Sequence, residues 1–148
     1  MGKRHRSRQV ALQLLYASEF LRESPLEIAP RLIETGEISQ SSWAPFCKEL
    51  ACKTLEQHEN LDAEINKVLV HWRVERLSKV DLIILRLALC EMREFADIPI
   101  RVTLNEYIEL AKQFGTEDSA SFVNGILDRL SHDFAEKDFD SRDKESED

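Results

Sequence analysis

Along most of the chain, apolar residues recur every three to four positions, the period of an α-helix with one buried face. The first such stretch runs from Arg4 to Leu21: Val10, Leu14, Ala17 and Leu21 form a stripe, with Ala11, Leu15 and Ser18 beside it. SPLE follows, with Ser24 as N-cap, Pro25 at the first helical position and Glu27 three residues after the cap. That is a capping box combined with the favoured place for proline. Pro30 should limit or kink this short second helix, and Gly36 suits its C-terminal cap. Ser41 or Ser42 is expected to open a third helix that carries Pro45 in its first turn and Trp43, Phe46, Cys47, Leu50, Ala51 and Leu55 at helical spacing. A fourth stretch holds Leu61, Ile65, Val68 and Leu69.

The segment WRVERLSKVD changes register, and Ser78 caps a new helix with Asp81 three residues on. From Asp81 to Phe95 nearly every face is apolar, which predicts a buried central helix that Pro99 ends. TLNE, Thr103 to Glu106, reads as a second capping box. The helix it opens carries Leu104, Tyr107, Ile108, Ala111 and Phe114 and stops at Gly115. The last helix starts near Asp118 and bears Phe122, Val123, Ile126, Leu127, Leu130 and Phe134. RVTL at Arg101 alternates but is too short and isolated for a sheet, and no repeat is present. The expectation is an all-α domain over residues 1–134, with about seven helices in two small packed bundles divided near residue 57. EKDFDSRDKESED, within 135–148, is acidic and poor in apolar residues, which predicts a disordered tail.

Composition narrows the class without changing it. Four glycines and four prolines are too few for an all-β chain. No apolar run reaches the roughly 18–20 residues of a membrane span. The basic start is followed by VALQLLYA and amphipathic sequence, with no h-region or cleavage site of a signal peptide, so the expected location is cytoplasmic. Cys47, Cys52 and Cys90 are odd in number and lack CxxC spacing, which predicts buried reduced thiols. Neither a phosphate-binding glycine loop nor a nucleophile elbow is present. His5, His58, His71 and His132 are scattered; His58 and Asp62 share a helix face but do not make a metal site. Glu106 and Glu109 are explained by a cap and a solvated face. No catalytic residue, cofactor or metal site is expected.

Charge is where the pattern breaks. The formal net charge is -8, yet KRHRSR puts Lys3, Arg4, Arg6 and Arg8 at the start, and the first acid is Glu19. This cluster is continuous with the first amphipathic helix, with Arg4 and Arg8 on one face. A protein whose overall field repels phosphate must capture nucleic acid locally, and arginines do so through charge-assisted, often bidentate contacts. The acidic tail would then oppose indiscriminate binding. Stacking platforms for unpaired bases are sought at Tyr16, Trp72 and Phe122, for which core packing is the competing role. FVNG, Phe122 to Gly125, puts Asn and Gly off the apolar stripe of the last helix, at a cost of about 1 kcal/mol for the glycine. Either a neighbouring helix packs closely there or a ligand approaches the backbone beside Asn124.

RSRQVALQLLY, WRVERLSKVDLIILRLALCEM and IPIRVTLNEYIELAKQFGTEDSASFVNGILDRL together resemble the NusB transcription antitermination factors, over about Arg4 to Leu130. The resemblance implies a two-bundle helical fold, no catalysis, and binding of single-stranded boxA RNA in ribosomal RNA leaders. Binding would be joint with NusE, which is also a small-subunit ribosomal protein, and the complex would join RNA polymerase for antitermination. It assigns RNA contacts to Lys3, Arg4, Arg6 and Arg8, to Trp72 and Arg76, and to Ser121, Phe122 and Asn124. It assigns the NusE-facing surface to Tyr16, Asp81, Glu75 and Asp118. His5 and Ser7 interrupt the longer arginine run common in the family, which lowers the charge there. Family members occur as monomers and homodimers. The rival readings are a helical protein adaptor that never touches RNA and an accessory domain of an RNA methyltransferase. The latter needs a cofactor-binding domain for which no motif is present.

Overall fold

The apolar period of the first residues becomes α1 (Lys3–Leu21) in a computed structural model that describes residues 2–71 and 73–134. The inward face of α1 comprises Ser7, Arg8, Val10, Ala11, Leu12, Leu14, Leu15 and Ser18. The buried stripe therefore begins earlier than expected, at Ser7, and fades at its far end, where Ala17 is half-buried and Leu21 exposed. Packed against α1 are α2 (Pro25–Glu34) and α3 (Pro45–Glu56). The Ser24 N–H donates to Glu27 Oε1 at 2.9 Å, so the SPLE box forms. Pro30 lies inside α2 and does not end it. Gly36, just beyond the cap, adopts a φ of 85°, a left-handed value that a side chain would strain.

Ser41 and Ser42 do not open α3. Ser41–Trp43 form a single 3₁₀ turn, and α3 begins at Pro45 behind Ala44. The serine hydroxyls are engaged within the loop: Ser39 and Ser42 lie 2.7 Å apart, and Ser7 Oγ donates to the Ser42 carbonyl at 3.0 Å. Serines that bond local backbone in this way favour turns over caps.

Contacts divide the chain into two compact units, one ending at Gln57 and one beginning at His58. The second holds α4 (His58–Val68), a 3₁₀ turn at Val74–Arg76, α5 (Lys79–Glu94), α6 (Ile100–Phe114) and α7 (Ser119–Ser131). The expected run of the last helix to Phe134 tightens instead into a 3₁₀ turn at His132–Phe134. Among the described residues there are seven α-helices and no strand, so the all-α class holds. In the second unit α5 is the central helix and packs against α4, α6 and α7. The Asp81 N–H donates to Ser78 Oγ at 3.2 Å, so Ser78 caps it.

Two charges interrupt the apolar surface of α5, and each meets a partner on a different helix. Arg86 donates through Nε and Nη2 to the two Asp62 carboxylate oxygens of α4, both at 2.7 Å. Glu91, fully buried, accepts from Thr103 Oγ1 at 2.7 Å and Tyr107 Oη at 2.9 Å on α6. TLNE is therefore not a capping box. Pro99 is the N-cap of α6, Thr103 lies one turn inside, and its hydroxyl serves the buried Glu91. RVTL is helical. Trp72 and the acidic segment at 135–148 lie outside the described residues.

Candidate nucleic-acid interface

The six-residue basic run becomes the first turns of α1, and the helix sorts its cations by depth. Lys3 and Arg6 are exposed, and neither has an ion-pair partner among the described residues. Arg4 is half-buried, its guanidinium carbon 4.7 Å from the Phe46 ring centroid. Arg8 is 0% exposed and lies 5.3 Å from the same centroid. Arg4 and Arg8 do share a face, as four-residue spacing requires, but it is the face toward Phe46 of α3. Stacking on an aromatic ring is a favourable setting for a desolvated guanidinium. Arg8 is thus a core cation. The signal for this was in the sequence: Arg8 precedes Ala11 and Leu15 by three and seven residues, inside the buried stripe. The cations that α1 leaves at the surface are Lys3, Arg6 and part of Arg4.

In the second unit, a cleft of about 240 Å³ brings together Arg76, Asp81, Asp118 and Phe122. It joins residues assigned above to RNA with residues assigned to a protein partner. Arg76 is exposed and has no ion pair among the described residues. Phe122 is half-buried on α7, while Ser121 and Asn124 are exposed on that helix. Asp81 Oδ1 is buried and lacks a hydrogen-bond partner, so one carboxylate oxygen remains to be satisfied by something else. Asp118, the exposed N-cap residue of α7, makes no side-chain cap bond. Glu75 is exposed, 3.9 Å from Arg73 in a loose pair.

The start of α7 is fixed by packing. Ser119 is buried, and its Oγ accepts from the Thr116 N–H at 2.9 Å. A Cβ on Gly115 would collide with the Ser119 side chain, so the α6–α7 connection requires glycine by close approach. Gly125 is different. It is exposed within α7, and a Cβ there would meet nothing within 4 Å. The close-packing alternative for FVNG therefore fails within the described residues.

Tyr16, 40% exposed, sits edge-on to Phe20 with ring centroids 5.0 Å apart. Phe20 and Leu21 are also exposed, an apolar patch that extends from Tyr16 along the end of α1. Pattern reading missed Phe20 because it lies off the stripe and carries no charge. Cys47 and Cys90 are buried and Cys52 half-buried. Burial pushes the Cys47 thiol up to about 12. Among the described residues no group of three or more His, Cys, Asp or Glu is arranged for a metal, and no helix is long and apolar enough to cross a membrane.

The NusB family model matches residues 5–132. The chain belongs to the NusB family. The transcription antitermination protein NusB of Geobacter sulfurreducens is 36% identical over 137 residues, covering 93% of this chain and 99% of that one. The Desulforudis audaxviator NusB is 43% identical over 128 residues, covering 86% and 92%. Solved NusB structures share the fold. T. maritima NusB superposes with a TM-score of 0.82 at 34% identity, covering 95% of this chain and 98% of that one. A crystal structure of the antitermination factors NusB and NusE in complex with dsRNA contains a chain with a TM-score of 0.78 at 25% identity, covering 90% and 98%.

Proposed function

We propose that this chain is an RNA-binding transcription antitermination factor, which holds the boxA RNA of ribosomal RNA leaders jointly with NusE and joins the RNA polymerase antitermination complex in the cytoplasm. The observation that carries the proposal is the pair of exposed cations, Lys3 and Arg6, without an ion pair among the described residues, on a packed helix of a chain whose net charge is -8. Membership of the NusB family supports it. Lys3, Arg6 and Arg4 contact phosphate, and Arg8 holds Arg4's partner ring in place. Arg76, Ser121, Phe122 and Asn124 supply further RNA contacts from the second unit, together with Trp72. Tyr16, Glu75, Asp81 and Asp118 face NusE. The action is scaffolding, without a catalytic step or cofactor: two ligands that bind weakly alone bind tightly together, each raising the affinity for the other by the same factor.

The test is fluorescence anisotropy of a labelled single-stranded boxA RNA titrated with the chain, with and without NusE, beside a scrambled strand and a duplex form. Selective binding that tightens with NusE is the expected result. Equal affinity for the scrambled strand in the presence of NusE would refute the proposal.

A further inference from the structure

Beside the α1 cations, the first unit contains a cavity of about 440 Å³ that the assignments above leave unused. One wall is α1, from which Arg6, Gln9 and Gln13 line the cavity at three- and four-residue spacing. The other is the segment from Gly36 to Ser42. Its apolar surface comes from Val10 and Ile38, which are 3% and 6% exposed, and from Ile33. Gln9 and Gln13, joined by Gln40 of the loop, make no side-chain hydrogen bond among the described residues. The loop wall is fixed: the Ser42 carbonyl accepts from Ser7, and the Ser42 N–H donates to Ser39 Oγ at 3.1 Å. The cavity is therefore preformed, and its size lies within the roughly 300–1,000 Å³ of small-ligand sites.

A mostly polar cavity with unengaged amides and a small apolar floor can receive a heteroaromatic base. The apolar residues meet part of its face, and each glutamine can donate and accept at its edge. Unstacked RNA bases are read in this way. Glu37 also lines the cavity, its carboxylate accepting from Thr35 Oγ1 at 2.9 Å. A carboxylate only accepts, so it favours an exocyclic amino group, with two N–H donors, over the single N3–H of uracil, which lies between two carbonyl oxygens that a carboxylate repels. The same charge disfavours phosphate near it, which leaves Arg6 as the phosphate contact.

We propose that this cavity receives one unstacked nucleotide of the bound RNA, an amino-bearing base whose edge meets Gln9, Gln13 and Glu37 and whose phosphate lies on Arg6. The proposal rests on the RNA-binding reading and adds to it a site of base selection. The test uses the full chain, with NusE present, and a labelled boxA RNA in which each adenine, cytosine and guanine is replaced in turn by uracil. For the wild type, one replacement should weaken binding about tenfold or more. In the double variant Gln9→Leu/Gln13→Leu, and separately in Glu37→Gln, unmodified RNA should bind about tenfold more weakly and that replacement should lose its effect, with the salt slope unchanged. These side chains are exposed or half-buried, and thermal melts matching the wild type confirm the fold. Variants that bind like the wild type with the same base dependence would overturn the cavity assignment while leaving RNA binding intact. A wild type that binds no RNA would overturn the RNA-binding reading itself, and this proposal with it.

Discussion

Replacing Arg8 by alanine should damage the fold and spare the phosphate grip. The side chain is 0% exposed, and its guanidinium lies 5.3 Å from the Phe46 centroid. A desolvated cation–π contact contributes about 2 kcal/mol or more. Truncating a buried side chain of this length removes stem packing and leaves a void, which costs about 2–5 kcal/mol for aliphatic cases. Removing a buried charge also relieves its desolvation cost, which offsets part of that sum. The net expectation is a loss of about 3 kcal/mol, and for a chain of 148 residues about 6–12 °C in Tm. Arg6→Ala should do the opposite. Its Tm should stay within about 1 °C of the wild type, while the log–log salt slope of RNA binding falls by about 0.7, the share of one single-strand phosphate contact. Thermal melts followed by circular dichroism, with anisotropy at several salt concentrations, read both effects. If Arg8→Ala melts with the wild type and lowers the salt slope as Arg6→Ala does, Arg8 is a surface cation and the reasoning fails.

Three further outcomes follow from the geometry. Gly125→Ala, at an exposed helical site with nothing within 4 Å of the new methyl, should raise stability by about 0.4–1 kcal/mol and weaken RNA binding if a ligand approaches that backbone; unchanged affinity would exclude the approach. Asp62→Ala should cost about 2–3 kcal/mol in urea denaturation, because it removes the bidentate carboxylate from Arg86, whose side chain is 11% exposed; a change under about 0.5 kcal/mol would show the pair to be solvated. The Cys47 thiol ionises near its ordinary value of 9.0 when unfolded and near 12 when folded. The stability this suppression of ionisation contributes is whole below about pH 9 and is lost as pH rises toward 12. Cys52, half-buried, should be alkylated in the native protein before Cys47, and the reverse order would contradict the burial.

Much of the helical plan was legible because it is local. SPLE and Ser78 act as caps where pattern places them, and the largely apolar run after Asp81 becomes the central helix of the second unit. The misreadings share one cause, a partner far along the chain. TLNE has the letters of a capping box, but Thr103 bonds Glu91 from inside α6, and Pro99 takes the cap. Ser42 reads as a cap, but its carbonyl accepts from Ser7, 35 residues away. Arg8 counts as a surface charge until Phe46 is placed over it. The basic cluster of the candidate interface was legible from its letters, while the depth of Arg4 and Arg8 depends on Phe46 of α3. The glutamine-lined cavity carries no motif, because it arises only when the Gly36–Ser42 loop folds against α1.

The measurement that tests the central claim most directly is calorimetric titration of NusE into the chain, alone and with boxA RNA bound, paired with RNA titration with and without NusE. Scaffolding predicts that each ligand tightens the other by the same factor, at least about fivefold. Two ligands that bind independently, or RNA that fails to bind in either titration, would contradict it.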